Sequence, residues 1–84
     1  MPKIVGPSKR VLKYIVKRGL AKKYQKQIKL LSENIRHPSL NVERLEPKSA
    51  GIYSFRIDKQ FRGFFFFISE ENTIKIFDAN DHYQ

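Results

Sequence analysis

The stretch IYSFRIDKQFRGFFFFI, residues 52–68, decides the fold. Over its first seven positions Tyr53, Phe55 and Ile57 alternate with Ser54, Arg56 and Asp58, the two-residue period of a half-buried strand. A short link leads into residues 61–68, which are strongly β-prone. Glu70, Glu71 and Asn72 then read as a hairpin turn, residues 73–79 as a third strand, and residues 80–84 as a polar tail. Three consecutive strands with short links imply an antiparallel meander. In the run Phe64, Phe65, Phe66, Phe67 alternate rings point to opposite faces, so at least two belong to the core and a central strand can bury both sets; a base stacking on one exposed ring is the lesser reading.

Towards the N-terminus the period changes. Residues 41–51 read as irregular, with Pro47, Ser49 and Gly51 as turn signals, and His37 before Pro38 closes a helix. That helix spans residues 20–35, with Tyr24, Ile28, Leu31 and Ile35 at helical spacing. Gly19 separates it from an earlier helix ending at Arg18, where Ser8 is the N-cap and Val11, Leu12, Ile15 and Val16 form one apolar stripe. Before it, Lys3, Ile4 and Val5 form at most a short strand in an arm interrupted by Gly6 and Pro7. The pattern is α+β: a two-helix hairpin covering one face of a sheet, in a single domain over residues 1–84.

The charge is lopsided. Residues 1–36 hold eleven Lys and Arg against Glu33 alone, while residues 37–84 are close to neutral, so nearly all of the net +9 belongs to the helical half. Lys9, Lys13 and Lys17 run down one helix, and Lys22, Lys23 and Lys26 follow on the next. Such clustering suits a polyanion or an acidic protein, because each cation on a phosphate releases a condensed counterion. The chain has no cysteine, which removes disulfides and thiolate metal sites. His37 and His82 lack zinc-site spacing, so no metal and no cofactor is expected. No apolar run is long enough for a membrane span or a signal peptide, and a soluble cytoplasmic protein is the expectation.

Five positions carry possible chemistry. Arg62 opens an otherwise apolar strand, where a cation needs an anion or a cleft, and its planar guanidinium grips phosphate in a bidentate way. Arg56 shares a face with Ser54 and Asp58, which also allows a cross-strand ion pair. His82 and Tyr83 directly follow a strand that can hold them beside its neighbour, and an imidazole there exchanges protons near neutrality. Glu43 lies in a loop, where a lone glutamate is normally solvated. Together, a carboxylate, a guanidinium and an imidazole are the parts needed for attack of a ribose 2′-OH on its own phosphodiester: base, charge stabiliser and acid.

The order of these features resembles the RelE/ParE toxin superfamily. It runs from His37-Pro38 and Glu43-Arg44-Leu45 through residues 51–57, then Phe61-Arg62 entering an apolar strand, and ends at Asp81-His82-Tyr83. Within the superfamily the likeness is to YoeB-like mRNA interferases, over residues 8–84. The resemblance implies a RelE-like fold, a two-helix hairpin packed on a curved antiparallel sheet of three to four strands. It implies a toxin that cleaves mRNA on the ribosome and is neutralised by a cognate antitoxin. Matched residue by residue, it implies Glu43 as general base, Arg62 as phosphate stabiliser, His82 as general acid and Tyr83 as a substrate-positioning residue. Arg56 would hold RNA backbone, and the helix lysines would contact ribosomal RNA. Two departures stand out: the quadruple phenylalanine replaces a more aliphatic strand, and Gln84 follows the tyrosine. Other members poison DNA gyrase and commonly lack the histidine–tyrosine ending, which leaves a ParE-like gyrase inhibitor and a non-catalytic RNA-binding module as the other readings.

Overall fold

Strand alternation and two amphipathic helices assemble into two layers in the computed structural model, which describes residues 2–68 and 72–82. The strands are Lys3–Val5 (β1), Glu43–Arg44 (β2), Tyr53–Arg56 (β3), Arg62–Ile68 (β4) and Thr73–Asn80 (β5), in the spatial order β1-β5-β4-β3-β2. The meander is present: β3 runs antiparallel to β4, with Ser54 opposite Phe64 and Arg56 opposite Arg62, and β4 runs antiparallel to β5, with Arg62 opposite Asn80. The turn expected at residues 70–72 lies outside the described residues except for Asn72, whose φ is 48°.

The α+β class holds, but the sheet is larger than expected and mixed. β1 joins β5 in parallel, with Ile4 opposite Ile74, and the helical hairpin carries the chain from this edge of the sheet to β2 at the other. β2 lies inside the segment read as irregular and places Glu43 opposite Ser54. Two residues beside a proline-containing turn are too few to display a period. Where β1 ends, Gly6 has φ +83° and its backbone lies against Ile76, so that a Cβ there would collide with the Ile76 carbonyl.

The helices are Lys9–Lys17 (α1) and Ala21–Glu33 (α2), with Ser8 Oγ accepting from the Val11 amide at 3.3 Å as expected of an N-cap. The α1 stripe is narrower than its sequence suggests. Val11 and Ile15 are buried, but Leu12 and Val16, one residue further round, are 43% and 59% exposed. Val11, Ile15, Leu20, Tyr24 and Leu31 pack with Phe55, Phe65, Ile74 and Ile76 to form the core. Each fully buried aliphatic or aromatic side chain contributes about 1.5–3 kcal/mol relative to exposure. Burial pushes the Tyr24 hydroxyl up to a pKa of about 12. Gln27, also buried, donates from Nε2 to the carbonyls of Ser39 (3.1 Å) and Arg56 (2.8 Å), which ties α2 to the adjoining loop and to β3. Of the phenylalanine run, only Phe64 and Phe65 are buried. No helix among the described residues is long and apolar enough to cross a membrane.

The link between β3 and β4 is closed by Asp58. Its Oδ1 accepts from the amides of Gln60 and Phe61, both at 2.8 Å, and its Oδ2 lies 3.5 Å from Lys23 Nζ on α2. Partial burial pushes this carboxyl up, but the two amides and Lys23 outweigh it and hold the pKa below its ordinary value. A depressed carboxylate stabilises the fold above its unfolded pKa, and that stabilisation fades as pH falls through the folded value. Asp58→Ala is therefore expected to lose about 1–2 kcal/mol at neutral pH. The gap to the parent chain should narrow in urea titrations carried out below about pH 4.

Candidate functional site

The helices cover one face of the sheet, the face of Phe55, Phe65, Ile74 and Ile76. By alternation and register, Glu43, Ser54, Arg56, Arg62, Phe64, Phe66, Lys75 and Asn80 occupy the other. At the β2–β3–β4 end of that face sits Arg62, only 6% exposed. Its Nε donates to Ser54 Oγ at 3.1 Å, and its Nη2 donates to Ser54 Oγ at 2.9 Å and to the Asn41 carbonyl at 2.6 Å.

Each of these partners has a local cause. Pro38 begins a single 3-10 turn, Pro38–Leu40, whose first amides are capped by His37: Nδ1 accepts from the Ser39 amide at 3.2 Å. Leu40 is fully buried and anchors the turn, leaving Asn41 in the left-handed region at φ 44°, which asparagine tolerates better than most residues. Its carbonyl is thereby brought to Arg62. His37 is thus a capping residue. Ser54 is fully buried on β3 because Arg62 lies over it.

Charge around Arg62 is uneven. Burial lowers its pKa, the Glu43 carboxylate opposes that shift, and Arg56, directly opposite on β3, adds to it. Two guanidinium groups facing each other across a strand pair are unfavourable unless an anion joins them. Arg56 is exposed and makes no cross-strand ion pair among the described residues; the carboxylate of Asp58 is engaged by its own turn and Lys23 instead. Glu43 Oε1 is buried and has no hydrogen-bond partner among the described residues. A buried carboxylate oxygen left in that state calls for an explanation beyond packing.

Glu43, Arg56 and Arg62 are therefore gathered on one face. His82 follows β5 at the same end, two residues beyond the Asn80 that faces Arg62. The Asn80 side chain directs the tail there: its Nδ2 donates to Asp78 Oδ2 at 3.5 Å, and its Oδ1 accepts from the His82 amide at 3.0 Å. The imidazole itself is 87% exposed, with Nε2 3.8 Å from Asp81 Oδ1. Tyr83 lies outside the described residues. The lysines at 9, 13, 17, 22, 23 and 26 are all exposed, but they lie on the helical layer, across the sheet from Arg62. Among the described residues no group of three His, Cys, Asp or Glu side chains is placed to hold a metal ion. Ser54 and the Asn41 carbonyl are the contributors that sequence reasoning missed. The serine's place on the Arg56 face was the one available signal.

No family model and no curated protein matches the sequence. Solved structures match over nearly the whole chain. A chain of the YoeB–YefM complex from Staphylococcus aureus is 25% identical with a TM-score of 0.70, covering 99% of both chains. The YoeB/ParE toxin from Agrobacterium tumefaciens is 16% identical with a TM-score of 0.74, covering 99% of this chain and 100% of that one. A chain of the E. coli DinJ–YafQ toxin–antitoxin complex is 13% identical with a TM-score of 0.73, covering 98% and 91%.

Proposed function

We propose, from the premise that this chain has the RelE/ParE toxin fold and is YoeB-like, that it is the toxin of a type II toxin–antitoxin pair and cleaves mRNA on the ribosome. The observation that carries the reading is Arg62: a buried guanidinium fixed by Ser54 and Asn41, with Arg56 opposite it and Glu43, whose Oε1 has no hydrogen-bond partner among the described residues, beside it. That grouping suits a phosphodiester better than a surface ion pair.

In the proposed reaction Glu43 takes the proton of a ribose 2′-OH, and the oxygen attacks the adjacent phosphorus. Arg62, supported by Arg56, stabilises the charge that develops on the non-bridging oxygens. Because Ser54 and Asn41 already hold the guanidinium, little reorganisation is needed as that charge grows. His82 protonates the departing 5′ oxygen; its exposure leaves the imidazole open to a substrate. The products are a 2′,3′-cyclic phosphate and a 5′-hydroxyl, and the sequence of proton transfers requires no metal. Tyr83 is assigned substrate positioning on resemblance alone. The helix lysines, across the sheet from the cleavage site, suit ribosomal RNA phosphates, with affinity that falls steeply as salt rises. The same positive surface suits an acidic segment of a cognate antitoxin.

Ribosomes programmed with a defined mRNA test the reading. The parent chain should generate new 3′ ends carrying a cyclic phosphate, and Glu43→Gln should slow their appearance by about 10²–10⁴-fold. Intact mRNA at doses that stop translation would remove the nuclease assignment. Inhibition of gyrase supercoiling by a His82→Ala variant would favour the ParE-like reading in its place.

A further inference from the structure

The sheet face that carries Arg62 also carries two aromatic rings that the proposed chemistry does not use. Phe66 on β4 and Phe77 on β5 are each 37% exposed, whereas Phe64, on the same face and nearer Arg62, is buried. Their centroids lie 5.8 Å apart with the rings inclined at 42°. A β-bulge brings them together. Phe64 pairs with Asp78 but Phe65 pairs with Ile76, so Phe77 is an extra residue, and both it and Asp78 turn to the Arg62 face. Lys75 stands opposite Phe66 across the same strand pair.

We infer that Phe66 and Phe77 form a stacking platform for bases of single-stranded RNA, extending the binding site along β4 from the Arg56–Arg62 anion site. The inference rests on RNA being the substrate and adds where the strand lies. Arg62 and Phe66 are four residues apart on one strand, about 13 Å at the usual rise per residue. A backbone phosphate held at Arg62 therefore leaves neighbouring nucleotides within reach of the rings, with Lys75 beside them for a further phosphate. Planar rings with an adjacent cation, continuous with a guanidinium pair, match how single strands are bound without sequence readout. A docked protein segment would be served equally well by aliphatic side chains.

The probe is a fluorescein-labelled hexa-adenylate carrying 2′-O-methyl on every ribose, which cannot be cleaved. Its affinity is read by anisotropy at low salt. Phe66→Leu/Phe77→Leu, which keeps apolar volume and removes the aromatic faces, should weaken binding at least about fivefold. Phe66→Tyr/Phe77→Tyr should bind as the parent chain does. If the double leucine variant fails to fold by thermal denaturation, Phe66→Leu alone carries the comparison. Equal affinity of the leucine variant, or no saturable binding by the parent chain, overturns the proposal. So does a leucine variant that keeps its RNA affinity and loses its antitoxin, which would assign the rings to protein docking. The probe has no free 2′-OH, so this outcome is independent of the nuclease reading, whose failure appears separately as uncleaved mRNA on ribosomes.

Discussion

Arg62→Ala is expected to lower single-turnover cleavage of ribosome-bound mRNA by about 10²–10³-fold, the effect of removing one preorganised donor from a developing oxyanion. The guanidinium combines two functions that the substitution separates. Towards the protein it satisfies Ser54 Oγ and the Asn41 carbonyl and sets a positive charge near Glu43. Towards substrate it offers charge to the phosphate. Alanine leaves a buried hydroxyl and a carbonyl short of a donor, so about 1–3 kcal/mol of stability should be lost as well, read from urea denaturation. Arg62→Lys returns the charge but not the planar fork, since one ammonium cannot serve Ser54, Asn41 and a phosphate in a fixed plane. Its rate should fall between those of alanine and the parent chain. A lysine variant as fast as the parent would show that charge alone suffices. An alanine variant that is folded and fully active would remove Arg62 from the reaction.

Gly63→Ala should be strongly destabilising for a single-methyl change. Gly63 lies opposite Phe55, and a Cβ at this position would fall on the Cε1 and Cζ atoms of the Phe55 ring. That ring is fully buried, with the rings of Tyr24 and Phe65 centred 6.4 and 6.0 Å away, so it has nowhere to retreat. Overpacking of this kind costs about 1–3 kcal/mol. In a domain of this size each kcal/mol lowers the melting midpoint by about 4–8 °C, which calorimetry resolves. The disturbance also reaches the site, because spreading β3 from β4 separates Ser54 from Arg62. A Gly63→Ala variant that melts with the parent would mean that the Phe55 ring has slack its packing does not suggest.

Much of the architecture was legible because its periods are local. The alternation through Tyr53, Phe55 and Ile57, the Ser8 cap and the break at Gly19 each follow from a few adjacent residues. Leu12 and Val16 were misassigned because helical spacing defines an apolar arc, while the sheet beneath α1 decides which edge of that arc is covered. β2 was invisible because two residues show no period, and its partner strand alone gives Glu43 its register with Ser54. Arg62 stood out in sequence as a cation at the head of an apolar strand. One of its partners among the described residues is a backbone carbonyl, which no side-chain pattern at position 41 announces. His82 was recognisable from its neighbours in the chain, but its place two residues beyond Asn80, which faces the head of β4, depends on a bulge that shifts the β4–β5 register by one residue.

The parallel pairing of β1 with β5 makes closure of the sheet a late event in synthesis. β5 is the last of the five strands to be made, yet it lies between the first and the fourth. Until residues 73–80 have emerged, β1 has no partner, β4 presents a raw edge, and Asn80 does not stand beside Arg62. If the chain cuts mRNA as proposed, it is inert towards the message being translated until that point, and the same topology leaves it adhesive during that interval.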